Sequence, residues 1–114
     1  MENVIEKKSF DFAIEIINLT RRMERKIEVP LRNQLLRSGT SIGANVHEAQ
    51  FAQSKKDFAS KMAIALKEAN ETKYWIRLFL EVGGIPLEEA RHFLLKIDEI
   101  LRMLIKIVKS AKET

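Results

Sequence analysis

The chain has 114 residues, no cysteine, 46% hydrophobic and 32% charged residues, and a formal net charge of +4. This length predicts a single domain, 1–114, and the missing thiols exclude disulfides, thiolate zinc sites and cysteine nucleophiles. No apolar run is long enough to span a membrane and the N-terminus does not resemble a signal peptide, so we expect a cytoplasmic protein with no membrane partner.

Apolar residues recur at three- and four-residue spacing along most of the chain, which contains only four glycines and two prolines. This pattern predicts an all-α fold. The predicted helices cover residues about 4–25, 30–51, 55–82 and 87–110. Pro30 suits a first helical turn, Ser54 a helix cap, and Gly83-Gly84 a helix end. Four helices with short connections predict an antiparallel up-and-down four-helix bundle.

The second predicted helix has weak helix formers on its apolar side. Gly39 and Gly43 lie four residues apart, and each glycine costs about 1 kcal/mol in a helix interior. We infer that another helix approaches this backbone closely and offsets the cost.

Polar residues also interrupt the predicted core. Asn45 and Glu48 lie one helical turn apart, and we predict that both are buried and hydrogen-bonded with Glu71 in a structural polar cluster. Acid–base catalysis by these carboxylates and Glu68 is the less favoured interpretation.

The third predicted helix carries a second apolar row in addition to its main seam. Its members are Ile64, Trp75, Leu78 and Val82. The row either packs against a neighbouring helix or covers another subunit. We assign it to an oligomer interface, because the last helix also has a wide apolar stripe that is typical of larger helical assemblies.

Catalytic and metal sites are not predicted. Glu89 and His92 form the single Glu-x-x-His motif, whereas a two-metal bundle site needs this motif on two helices and further glutamates on the others. Neither histidine lies in a recognisable nucleophile arrangement, and no glycine loop for phosphate is present. We therefore expect no enzyme, no metal and no cofactor.

The positive charge is concentrated in the middle of the chain. Residues 1–30 and 78–114 are each neutral, whereas residues 31–53 carry +1 and residues 54–77 carry +3. A basic segment of this kind indicates phosphate contact, although solvated lysines are an equally reasonable interpretation. The candidate nucleic-acid-binding residues are Arg32, Arg37, Lys55, Lys56, Lys67, Lys73 and Arg77.

Two stretches resemble a known family. Ser41-Ile42-Gly43-Ala44-Asn45-Val46-His47-Glu48-Ala49, followed by Ser54-Lys55-Lys56-Asp57-Phe58 and Ile64-Ala65-Leu66, is similar to the pattern of the bacterial 23S rRNA intervening-sequence proteins. Asn45, Glu48 and Glu71 match that pattern by position. Gly43 stands in place of its proline, His47 of an alanine, Ala49 of a glycine and Tyr74 of a threonine.

The resemblance implies a four-helix bundle without enzymatic activity that assembles as a ring-like pentamer. It also implies a relationship to the accessory protein of diversity-generating retroelements, which partners a reverse transcriptase and nucleic acid. Five chains at +4 each would carry +20. We therefore expect a homo-oligomer that binds RNA or DNA through a basic surface on helices 2 and 3. The alternative is a module that docks a partner protein, such as a nucleic-acid-processing enzyme.

Overall fold

Four antiparallel helices form the protein in its computed structural model, which describes residues 3–23 and 25–113. Their bounds are α1 Val4–Arg22, α2 Val29–Ala49, α3 Lys55–Glu81 and α4 Leu87–Lys112. Each helix packs on the next one in the chain, and α4 closes the bundle against α1. The predicted all-α up-and-down four-helix bundle is confirmed.

The start of α3 is fixed by reciprocal capping. Ser54 Oγ accepts a hydrogen bond from the Asp57 backbone N–H at 3.0 Å, and Asp57 Oδ2 accepts from the Gln53 N–H at 3.2 Å. Both bonds satisfy backbone donors that have no partner inside the helix. This is the cap that the Ser54 sequence predicts.

The first helix ends earlier than the sequence suggests, at residue 22 rather than about 25. Arg25 has a φ of +74°, in the left-handed region that ends a right-handed helix. Gly83, with a φ of +79°, directly follows the Val82 cap of α3, whereas Arg25 lies two residues beyond the Met23 cap of α1. Glycine at such a position is readable from sequence, whereas arginine is not.

The two helix glycines allow α1 to approach α2 closely, as inferred. A Cβ atom at Gly39 would lie 2.7 Å from Cγ2 of the fully buried Ile16. A Cβ at Gly43 would lie 3.0 Å from the backbone oxygen of Ser9. The close helix pair offsets the poor helix propensity of both glycines.

The predicted polar cluster of Asn45, Glu48 and Glu71 is wrong, because Asn45 and Glu48 are not buried together with Glu71. Asn45 is half-buried and donates to the Ser41 carbonyl on its own helix at 2.8 Å, while the Glu48 side chain is 61% exposed and lies 3.6 Å from Lys61. The core positions nearby on α2 belong to Val46 and Ala49, so Asn45 and Glu48 fall on its flank.

The buried polar contact between helices is formed instead by two hydroxyls. Thr72 Oγ1 on α3 lies 3.0 Å from Ser38 Oγ on α2 and 2.8 Å from the Glu68 carbonyl oxygen. Both side chains are fully buried. A satisfied hydroxyl pair fits a tight helix interface at lower desolvation cost than an amide and a carboxylate.

The second apolar row of α3 is divided between the core and the surface. Trp75 and Leu78 are half-buried and pack against the core, and the Trp75 ring centroid lies 5.8 Å from that of Phe79. Ile64 and Val82 are 43% and 63% exposed. Of the four residues of this row, the exposed pair Ile64 and Val82 is available to another surface.

Candidate nucleic-acid interface

Two of the candidate phosphate-binding cations are neutralised by carboxylates. Arg37 on α2 bonds Glu68 at 3.0 Å and also Glu71, both on α3. Lys73 on α3 lies 2.8 Å from Asp98 on α4. These pairs join neighbouring helices, so both cations contribute less to phosphate binding than the sequence suggests.

The Arg37 pair belongs to a hydrogen-bonded group around Glu71. Glu71 Oε2 accepts from the Trp75 indole N–H at 3.1 Å as well as from Arg37. Burial alone would raise the pKa of Glu71, but these two hydrogen bonds and the Arg37 charge outweigh it and hold the pKa below its usual range. The hydrogen bond to Glu71 likewise raises the pKa of Arg37. Glu71 therefore stays ionised and remains paired with Arg37.

Arg32 is half-buried near the start of α2. Its Nε atom is shielded from solvent and has no hydrogen-bond partner in the described part of the chain. A guanidinium in this position is less available to phosphate than a fully exposed side chain.

The remaining candidates lie exposed along α3. Within the described residues, none of the four forms an ion pair with an acid. They are Lys55, Lys56, Lys67 and Arg77. Lys56 and Lys67 are about 16 Å apart along the helix axis, and Arg77 lies about 15 Å further on. The α3 cations thus form a long outward line rather than a compact cluster.

The structure brings cations of α4 next to those of α3. The zero net charge of residues 78–114 had hidden them in the sequence. Lys55 and Lys106 line one open cleft between α3 and α4, whose apolar wall includes Phe58 and Ile107. The last turns of α4 also expose Lys109 and Lys112. Antiparallel packing therefore gathers lysines from both helices at the end of the bundle where α3 begins.

A finer reading of the sequence would have found these residues. In 78–114 five of the six acids and two of the six cations lie before residue 100, a net charge of −3, whereas Arg102, Lys106, Lys109 and Lys112 follow it with Glu113 alone, a net charge of +3. Summed over the whole segment the two groups cancel. When the charges before and after residue 100 are summed separately, the acidic part and the basic part become visible.

Glu89 and His92 face α1 rather than a metal. Glu89 accepts from Arg22 at 2.6 Å, and His92 Nε2 lies 2.7 Å from Glu15. Residues 3–23 and 25–113 contain no group of three or more potential His, Asp or Glu ligands for a metal ion. The helices in those residues are also too polar or too short to cross a membrane.

Comparisons with known proteins agree with one another. The family profile described as 23S rRNA-intervening sequence protein matches residues 1–106. A crystal structure of a protein of unknown function from the S23 ribosomal protein family of Bacteroides thetaiotaomicron superimposes with a TM-score of 0.88. It is 46% identical, and the alignment covers 92% of this chain and 98% of the other. A comparison with curated proteins gave no match.

Proposed function

The chain belongs to the 23S rRNA-intervening sequence protein family, and on this premise we propose that it is a non-enzymatic cytoplasmic protein that binds RNA or other nucleic acid. The binding site is a basic surface formed by α3 and the end of α4. We define the basic surface as Lys55, Lys56, Lys67 and Arg77 of α3 with Lys106, Lys109 and Lys112 of α4.

The observation that carries this proposal is the absence of acid partners. Ion pairs occupy other cations of the bundle, such as Lys8, Arg22, Arg37 and Lys73, whereas no described acid forms an ion pair with the cations of the basic surface. The nearest approach to one is the longer-range attraction between Lys67 and Glu71. Unpaired cations attract phosphates, and binding then releases the counterions that surround the nucleic acid. Contacts of this type position a nucleic acid without reading its sequence.

We also propose that the protein is a homo-oligomer, as the resemblance to pentameric relatives implies. Large apolar side chains are exposed on several helices, including Phe10 at 65%, Val82 at 63% and Leu95 at 74%. Exposed apolar surface of this extent is typical of contact with another chain. A ring of copies would repeat the basic surface and raise the affinity for a long polyanion.

Docking of a partner protein is the alternative function. An apolar groove of about 850 Å³ between α1 and α2, lined partly by Phe10, Ala13, Ile17 and Ala44, favours it. The two functions respond differently to salt. Phosphate-dominated binding weakens steeply as salt increases, whereas an apolar protein interface weakens little.

A charge-matched pair of variants tests the nucleic-acid function. Lys55→Glu/Lys106→Glu and Arg21→Glu/Lys26→Glu each change the chain from +4 to 0. Arg21 and Lys26 are exposed near the end of α1, outside the basic surface. Fluorescence polarisation with labelled single-stranded and duplex RNA in low salt should show weaker binding by the first variant and much smaller loss in the second.

Two results would contradict the proposal. The first is that the unmodified protein binds neither RNA at tens of micromolar protein. The second is that both variants lose the same amount of affinity. Equal loss would mean that net charge alone, and not this surface, attracts RNA. Circular dichroism of both variants verifies that the helices remain intact.

A further inference from the structure

Tyr74 is an exposed aromatic residue on the outward face of α3. Its side chain is 56% exposed, and it is the single tyrosine of the chain. In the described part of the chain the one aromatic ring paired with it is that of Trp75, at a centroid distance of 5.1 Å and an interplanar angle of 74°. A tyrosine ring in this position combines an apolar face with a polar hydroxyl and is available to a ligand.

Its neighbour Trp75 holds this ring in place. The Trp75 indole N–H is bonded to Glu71 at 3.1 Å, and the indole packs against Phe79 inside the bundle. Tyr74 therefore extends from a fixed support. A pre-organised ring loses little conformational entropy when it binds a flat ligand.

Positive charge flanks the ring along the helix. Arg77 follows Tyr74 by one helical turn and Lys67 precedes it by two, and both are exposed. Neither forms an ion pair in the described residues, although the charge of Lys67 acts on Glu71 one turn away. The acid Glu81 lies one turn beyond Arg77. Two other carboxylates are nearby: Glu71 is paired with Arg37, and Asp98 is paired with Lys73.

The ring also borders a cleft between α3 and α4. This cleft has a volume of about 530 Å³, and its lining combines Tyr74 and the apolar side chains of Leu78, Leu80 and Leu94 with two cations, Lys73 and Arg77, and two acids, Glu81 and Asp98. An aromatic wall, an apolar floor and neighbouring cations suit a flat, uncharged ring that is attached to a phosphate chain.

We propose that Tyr74 stacks on an unpaired base of single-stranded nucleic acid, while Arg77 and Lys67 contact the adjacent phosphates. This inference rests on the proposed nucleic-acid function and specifies its ligand. A paired base inside a duplex is stacked on its neighbours and cannot present a free face to a side chain on a helix surface. Single strands are therefore the preferred ligand of this site.

The test compares a labelled 12-nucleotide oligouridine with a 12-base-pair RNA duplex for four proteins: unmodified, Tyr74→Ala, Tyr74→Phe and Phe10→Ala. Tyr74→Ala should weaken oligouridine binding about fivefold or more, because stacking on one ring contributes roughly 1–3 kcal/mol per base. Tyr74→Phe keeps the ring and should bind nearly as well as the unmodified protein. Phe10→Ala removes an exposed ring from α1 and should leave the preference for oligouridine over the duplex unchanged.

Salt dependence separates stacking from charge. Tyr74→Ala should leave the slope of log affinity against log salt unchanged, whereas Lys67→Gln/Arg77→Gln should reduce it by about 0.7 for each lost phosphate contact. Oligouridine should also change the fluorescence of Trp75, the single tryptophan of the chain.

The possible failures are distinguishable. If the unmodified protein binds neither RNA, the proposed function and this inference are both wrong. If it binds RNA but Tyr74→Ala binds oligouridine as well as the unmodified protein does, only the stacking role is wrong. A lower oligomer mass for Tyr74→Ala in light scattering, without a selective loss of single-strand binding, would assign the ring to a protein interface instead.

Discussion

Glu71 links the packing of α2 on α3 to the charge balance of the surface. Its carboxylate accepts from Trp75 and pairs with Arg37, and together these contacts outweigh burial and keep the pKa of Glu71 below the ordinary value of 4.5. A group with a lowered folded pKa stabilises the protein fully above its unfolded pKa. That contribution is lost as pH falls through the folded pKa.

Replacing Glu71 with glutamine should therefore lower stability near neutral pH and have less effect in acid. We expect a loss of about 1 kcal/mol at pH 7, because two hydrogen bonds to a charged acceptor on a partly exposed site are replaced by weaker ones. Thermal unfolding followed by circular dichroism between pH 7 and pH 2 measures both effects. Glu81→Gln, an exposed change on the same helix, is the control. Parallel pH profiles for the Glu71→Gln variant and the unmodified protein would contradict this role.

Individual polar residues were the least predictable feature of the fold. Heptad counting placed Asn45 on the core face of α2, but a small change in helix orientation gives that position to Val46 and leaves Asn45 on the flank. Periodicity defines an apolar stripe and not its edges. Glu71 is also part of a hydrogen-bonded group, but its partners Arg37 and Trp75 depend on how two helices pack, which a single sequence does not specify.

The helices themselves were largely readable because their ends carry local signals. Ser54 with Asp57 at the start of α3 and Gly83 after its end act through backbone hydrogen bonds within a few residues. The end of α1 lacks such a signal, and the left-handed Arg25 was not predicted. Local chemistry thus predicts an element boundary where the residue type itself provides the cap or the break.

The α1–α2 pair provides a prediction on helix packing. Gly39→Ala would gain helix propensity of about 1 kcal/mol in an isolated helix, but the added Cβ would lie 2.7 Å from Ile16. We expect a net destabilisation of about 1–3 kcal/mol, because Ile16 is fully buried and cannot move aside. Urea unfolding measures this change.

A double-mutant cycle tests whether the Ile16 contact is the cause. The cost of Gly39→Ala should shrink when Ile16 is already alanine, because the atoms that a new methyl group would meet are then absent. Ser60→Ala, on the exposed side of α3, is the control for helix propensity alone. Equal costs of Gly39→Ala in both backgrounds would show that close contact with Ile16 is not responsible.

At the scale of the whole molecule, the sequence located only part of the basic surface. Charges summed along the chain identified Lys55, Lys56, Lys67 and Arg77 but missed Lys106, because the end of α4 joins the start of α3 only in the folded bundle. The same summation included Arg37 and Lys73, whose acid partners lie on neighbouring helices. The charge of a surface depends on which helices pack side by side. Net charges summed along the sequence describe it only where the surface belongs to one helix.

Self-association gives the last prediction. Light scattering at micromolar concentration should return a mass above the 13.2 kDa of one chain. Ile64 and Val82, the exposed members of the α3 row, are better test positions than the half-buried Trp75, whose removal would also damage the core. Ile64→Gln/Val82→Gln should lower the mass, because polar groups buried in an apolar interface lose hydration without gaining partners.

A matched change on another helix makes this experiment specific. Leu95 on α4 is 74% exposed, so Leu95→Gln alters surface polarity without changing the α3 row. If the α3 row lies in the interface, Leu95→Gln should leave the mass unchanged while Ile64→Gln/Val82→Gln reduces it. A reversed result would move the interface to the exposed face of α4 around Leu95, about 16 Å along the helix axis from Lys106. A mass of one chain for the unmodified protein would exclude the oligomer altogether, and RNA binding would then depend on the seven cations of a single basic surface.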